Sequence, residues 1–130
     1  MGSRAPLTAR AAALAYAGLG VYATRVAIAH KEPARFAGRS YPGPAAYQFV
    51  WVGTALSAPV YILGGYVRAG LSGNERALRV LAAATFAGQL GEPITWRAAG
   101  RERAIVAANL VLPAIIMLSL RHRPRAGSRP

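Results

Sequence analysis

Four apolar stretches, near Thr8–Ala29, Ala45–Val67, Ala77–Trp96 and Ala104–Leu120, take up most of this chain, and the short connectors between them carry most of its arginines. A helix needs roughly 20 apolar residues to cross a ~30 Å hydrocarbon core, and each stretch approaches that length. A chain of 130 residues ordinarily makes one soluble domain around one core. A soluble helix, however, shows a charged face at every turn, and the run from Ser40 to Val67 has no charged residue. One such helix can be a buried core element. Four in series leave nothing polar to cover them. The expected fold class is therefore all-α: a four-transmembrane-helix antiparallel bundle, forming one integral membrane domain over residues 1–130 with a basic tail at 121–130. Open strands are excluded as spans, because lipid cannot satisfy their backbone groups.

The formal net charge of +12 raises the question of nucleic acid. Nucleic-acid binding calls for basic residues clustered on one face. Here they sit at segment ends, where they anchor helices at lipid headgroups. The expected partner is the lipid bilayer, and no nucleic acid. A single lysine, Lys31, stands among many arginines in a chain rich in alanine and glycine. That bias points to a high-GC bacterial genome, and so to a multi-pass protein of the bacterial inner membrane. Cysteine is absent, which removes disulfides, thiolate metal sites and cysteine nucleophiles together. His30 and His122 have no companions at metal-ligand spacing, so no metal and no cofactor are expected.

Orientation follows from the connectors. Arg4, Arg10, Arg68, Arg76, Arg79, Arg121, Arg123, Arg125 and Arg129 fall on one side; Lys31, Arg35, Arg39, Arg97, Arg101 and Arg103 fall on the other. The excess places both termini in the cytoplasm. The first stretch has a rival reading as a cleaved signal peptide, with Arg4 and Arg10 as its basic region and Ala27-Ile28-Ala29 as the cleavage site. Arg25, between the apolar run and the cut, fits that reading poorly. Gly18 and Gly20 permit close helix approach, and the small residues Ala82, Ala83, Ala84, Ala87, Gly88 and Gly91 make the third stretch a packing centre. Ser72 or Asn74 is positioned to cap the third helix. Tyr41-Pro42-Gly43-Pro44 reads as a turn on the membrane surface.

Polar side chains placed by depth, at ~1.5 Å per residue, form a layer. Arg25 in the first stretch, Gln48 in the second, Gln89 and Glu92 in the third and Asn109 in the fourth all fall a few residues from the non-cytoplasmic end. Charges at membrane depth cost about 2.5–3.5 kcal/mol at the centre and so tend to face inward and pair; Arg25 and Glu92 are the expected pair. Gln89, Glu92 and Trp96 share a face of the third helix. Pro93 and Pro113 cannot donate to the carbonyls of Gln89 and Asn109, which exposes two acceptors beside those side chains. The expected function is binding, or acid–base isomerisation or cyclisation, of a lipophilic small molecule. Glu92 is the candidate catalytic acid or base, with Arg25, Gln48, Gln89, Trp96 and Asn109 as candidate binding residues. The alternatives are a dimeric small-solute transporter or channel, and an accessory subunit of a larger membrane complex, so a homodimer or membrane-complex partner is also anticipated.

Overall fold

The computed structural model describes residues 4–29, 34–36, 39–41, 58–92, 94–97 and 99–121. They form α1 (Leu7–Ala29), the strands β1 (Ala34–Phe36) and β2 (Arg39–Tyr41), α2 (Val60–Ser72), α3 (Glu75–Gly91), α4 (Ile94–Arg97) and α5 (Arg101–Arg121). The architecture is helical, as expected, with one addition. β1 and β2 pair antiparallel, Ala34 opposite Tyr41 and Phe36 opposite Arg39, where the sequence suggests a surface loop. Only two residues separate the strands, the connection length that favours a tight hairpin.

α1 packs against α2 and α5, and α3 packs against the same two. The four long helices thus form a ring in which α1 and α3 face one another across the middle. Successive helices run antiparallel: the Ala5 amide, just before α1, donates to the carbonyl of Gly73, just after α2, at 2.8 Å. The lower end of the bundle gathers the start of α1, the α2–α3 turn and the end of α5. The upper end gathers the end of α1, the starts of α2 and α5, and the α3–α4 junction.

The interior combines alanines with larger apolar residues, and many large apolar side chains are exposed as well. Ala9, Ala12, Ala13, Ala17 and Ala23 of α1 are buried at helical spacing. A Cβ added at Gly20 would come within 2.5 Å of a Leu63 methyl, so α1 and α2 meet closely there. Larger interior volume comes from Tyr66, Leu78 and Ile116. Outside stand Val21, Tyr61, Leu71, Val80, Val111 and Leu118, all exposed. The packing centre is α1 rather than the third stretch. Ala82 is buried, but Ala83, Ala84, Ala87, Gly88 and Gly91 are exposed, because α3 spends its inward face on Leu78, Ala82 and Gln89.

Two of the expected spans differ in extent. α2 begins at Val60, just after Pro59, and residues 45–57 of the second stretch lie outside the described residues. α3 ends at Gly91 instead of continuing to Trp96, and a single turn, α4, resumes beyond position 93. Pro113, in contrast, is buried inside an unbroken α5. Among the described residues α5 alone is long and apolar enough to cross a membrane. α1 has 23 residues but carries Arg10 and Arg25 within it.

The lower end shows how local chemistry sets the turn. Gly73 adopts the left-handed region, φ 72, and its amide donates to the Ala69 carbonyl to close α2. Asn74 then caps α3, its side-chain oxygen accepting from the Ala77 amide at 3.1 Å. Arg10 reaches across from α1: Nε donates to the Gly70 carbonyl at 2.8 Å and Nη2 to that of Leu71 at 2.7 Å. A cation at a helix C-terminus also complements the helix dipole.

Arg10→Ala is expected to lower stability in detergent by about 1–2 kcal/mol, read as a thermal midpoint by circular dichroism, since it strips two charge-assisted bonds. Arg10→Lys should recover only part, because an ammonium cannot reproduce the fork. Gly73→Ala should cost a further ~1–2 kcal/mol for an L-residue in left-handed backbone. Unchanged melting in all three would show that the turn is not held as described.

Candidate functional site

The upper end contains the polar assembly, and it begins with the way α3 stops. The amide of Glu92 donates to the Gln89 carbonyl at 3.1 Å, and the Thr95 amide donates to the Glu92 carbonyl at 3.1 Å, which turns the chain tightly into α4. The Thr95 hydroxyl donates to the Gln89 carbonyl as well. The acceptor expected to lie open beside Pro93 is therefore filled from within the chain, and position 93 itself lies outside the described residues. Trp96 does the same one residue on, its Nε1 donating to the Leu90 carbonyl at 3.1 Å.

Side chains extend this junction into the bundle. Gln89 Nε2 donates to the Thr95 hydroxyl at 2.8 Å. Asn109 Nδ2, from α5, donates to Gln89 Oε1 at 3.2 Å. Asn109 is only 2% exposed and Gln89 is buried beside it. One glutamine thus links α3, α4 and α5, using an oxygen toward one neighbour and a nitrogen toward the other. No buried side-chain nitrogen or oxygen among the described residues lacks a partner.

The expected site residues fall into three groups. Gln89 and Asn109 are brought together, on the face and at the depth anticipated. Glu92 is half-buried at the junction itself, with backbone angles φ −79 and ψ 128 that end the helix. Arg25 and Trp96 are at the same end but face outward: Arg25 is exposed and takes no part in this network, and Trp96 is 73% exposed. Gln48 lies outside the described residues. No group of three or more metal-ligating side chains occurs among the described residues.

A second polar level lies one turn deeper and was not foreseen. Tyr66 is fully buried, and its hydroxyl lies 2.5 Å from that of Thr85. Thr85 passes a hydrogen bond to the Leu81 carbonyl at 2.8 Å, so Tyr66 is the donor in the pair. The Tyr16 ring stacks obliquely on Tyr66, centroids 4.4 Å apart and planes at 38°. Tyr61 faces outward, while Tyr66 points inward. The available signal was spacing: Thr85 and Gln89 are four apart on α3, so both share the face that carries Leu78 and Ala82. Thr95 was legible in a similar way, as the hydroxyl nearest a carbonyl that Pro93 cannot serve.

No protein-family model, no curated protein and no solved structure matches this chain.

Two amides that bond across helices should be energetically coupled. A double-mutant cycle of Gln89→Leu and Asn109→Leu is expected to show a coupling of about 0.6 kcal/mol, with ~1.7 kcal/mol as the upper bound for such pairs in membranes. Additivity would show that the two side chains do not interact. Thr85→Val, which strips the Tyr66 hydroxyl of its acceptor, should destabilise by ~1–2 kcal/mol while leaving that coupling intact.

Proposed function

We propose that this chain is a multi-pass protein of a bacterial inner membrane which holds a lipophilic small molecule at the upper end of its bundle. In this reading Glu92 is the acid–base group, and both termini lie in the cytoplasm. The observation that carries the membrane part is the large apolar surface that faces outward. Leu7, Val21, Tyr61, Leu71, Val80, Val111 and Leu118 are all exposed, although Leu63, Tyr66, Leu78 and Ile116 already fill the interior. Large exposed aliphatic surface on a monomer is costly in water. Inside lipid it costs nothing, and small residues then let helices approach for packing. α5 meets the length and apolarity of a crossing helix, and the arginines gather at the two ends.

The helix break supports the ligand part. Irregular backbone at membrane depth is tolerated where it is buried in protein or lines a cavity, and broken helices are where small-molecule sites in membrane bundles tend to form. Here the break places a half-buried carboxyl, Glu92, beside the Asn109–Gln89–Thr95 chain. Those amides saturate one another, so their role in this reading is to hold the frame in which Glu92 meets a ligand. Proton transfer within an apolar substrate suits the inventory: isomerisation or cyclisation needs one acid–base group and an enclosure that limits water.

A second reading is favoured by one observation. The exposed face of α3 is Ala83, Ala84, Ala87, Gly88 and Gly91, and a Cβ at either glycine would meet nothing within 4 Å. That face suits close approach by a helix of a membrane-complex partner, as in an accessory subunit.

Alkaline carbonate washing should leave the chain in the membrane pellet; release into the supernatant would remove the membrane reading. Ligand binding can be followed through Trp96 in a Trp51→Phe background, which leaves one tryptophan. Titration with isoprenoid alcohols, ketones and acids should shift its emission for at least one class, and Glu92→Gln should weaken that binding by about tenfold, the effect of one charge-assisted hydrogen bond. No response to any class, or equal affinity in the variant, would count against a site at Glu92.

A further inference from the structure

The lower end carries a different chemistry, and the arginines there are not equivalent. Arg10 is committed to the carbonyls of Gly70 and Leu71. Arg68, Arg76 and Arg79, on the α2–α3 hairpin, are all exposed. Arg68 lies four residues before the end of α2 at Ser72, and Arg79 lies four after the start of α3 at Glu75. At ~1.5 Å per residue both stand about 6 Å from the turn, with Arg76 closer to it. Glu75 is the hairpin's sole acid, placed where it favours the N-terminus of α3.

What lies deeper on the same faces is apolar and open. On α2, Gly64 and Tyr61 follow Arg68 at four and seven residues, one line down the helix. Gly64 would meet nothing within 4 Å if it carried a Cβ, and Tyr61 is exposed. On α3, Val80 lies one turn deeper than Arg76 and is exposed, with exposed Ala83 and Ala84 beyond it. The helices meet between these lines, where Gly65 faces Leu81. Guanidiniums above and a shallow apolar surface below match one kind of molecule.

Resting on the membrane reading above, we infer that the α2–α3 hairpin is a binding site for an anionic phospholipid. The headgroup phosphate lies among Arg68, Arg76 and Arg79, and an acyl chain runs over Gly64 and Val80. Arginine suits the role because its planar fork bonds a phosphate through two nitrogens at once. Among the described side chains the upper end offers no equivalent: Arg97, Arg101 and Arg103 are exposed as well, but they share their short segment with Glu92 and Glu102.

The test is lipid retention from nanodiscs of about equal phosphatidylcholine and phosphatidylglycerol, with the lipids that stay on the released protein identified by native mass spectrometry. The wild-type chain should retain phosphatidylglycerol about tenfold over phosphatidylcholine, and that enrichment should fall as salt is raised. Arg68→Gln, Arg76→Gln and Arg79→Gln together should abolish it, while the matching triple change at Arg97, Arg101 and Arg103 should leave it. Gly64→Leu keeps every charge but fills the apolar line; it should reduce enrichment, which a site for the phosphate alone would not show. Absence of enrichment in the wild-type chain, equal loss in both triple variants, or indifference to Gly64→Leu overturns the inference. A chain that never enters nanodiscs overturns the membrane reading and this site with it.

Discussion

A helix leaves its last carbonyls without intrahelical donors, and in an apolar setting each needs a donor from elsewhere in the protein. Two of the long helices here end against other elements, and both are served by side chains. Arg10 of α1 bonds the carbonyls of Gly70 and Leu71 at the end of α2. Thr95 and Trp96 of α4 bond those of Gln89 and Leu90 at the end of α3. The first pair fixes the register of α1 on α2. The second folds α4 back onto the helix that precedes it and so positions Glu92. Remove either and the termini it serves lose their partners, and the geometry around them loses its constraint.

The interior follows from the same requirement. The helices are joined by close packing and by hydrogen bonds between them. α1 supplies the packing, with alanine at nearly every inward position and Gly20 against Leu63. The hydrogen bonds come in two levels one turn apart on α3. Thr85 receives Tyr66 of α2, and Gln89 receives Asn109 of α5. α3 is thereby bonded to both of its neighbours in the ring. The groups of the upper level bond to one another, and Glu92 lies at their edge.

Two members of the polar assembly, Gln89 and Asn109, were named from the sequence, and the reason is periodicity. Gln89 and Asn109 were placed by depth alone, since rise per residue is nearly constant in a helix, and both stand at one level facing inward. The N-cap at Asn74 was legible from residue type and position. Arg25 failed as an inward group because depth says nothing of azimuth: on α1 the alanines take the inner face, and Arg25 is left outside. Tyr66 was not singled out as an interior group, and Thr85 supplies a partner that lets its hydroxyl be buried. Small residues misled in a third way. They mark where helices can approach, and on α3 they mark a face that nothing among the described residues approaches.

The amino-acid sequence determined the helical class and the ends where charge collects, because these depend on local hydropathy; the expected second and third spans ran through positions 59 and 93, and the end of α3 at Gly91 was not foreseen. Tertiary structure decided which face of each helix turned inward, that Arg10 should serve a neighbouring helix, and that Tyr66 and Asn109 should bond to α3. Those outcomes depend on rotation about the helix axes and on partners some 20 to 60 residues away in sequence, and a pattern along one chain holds no record of either.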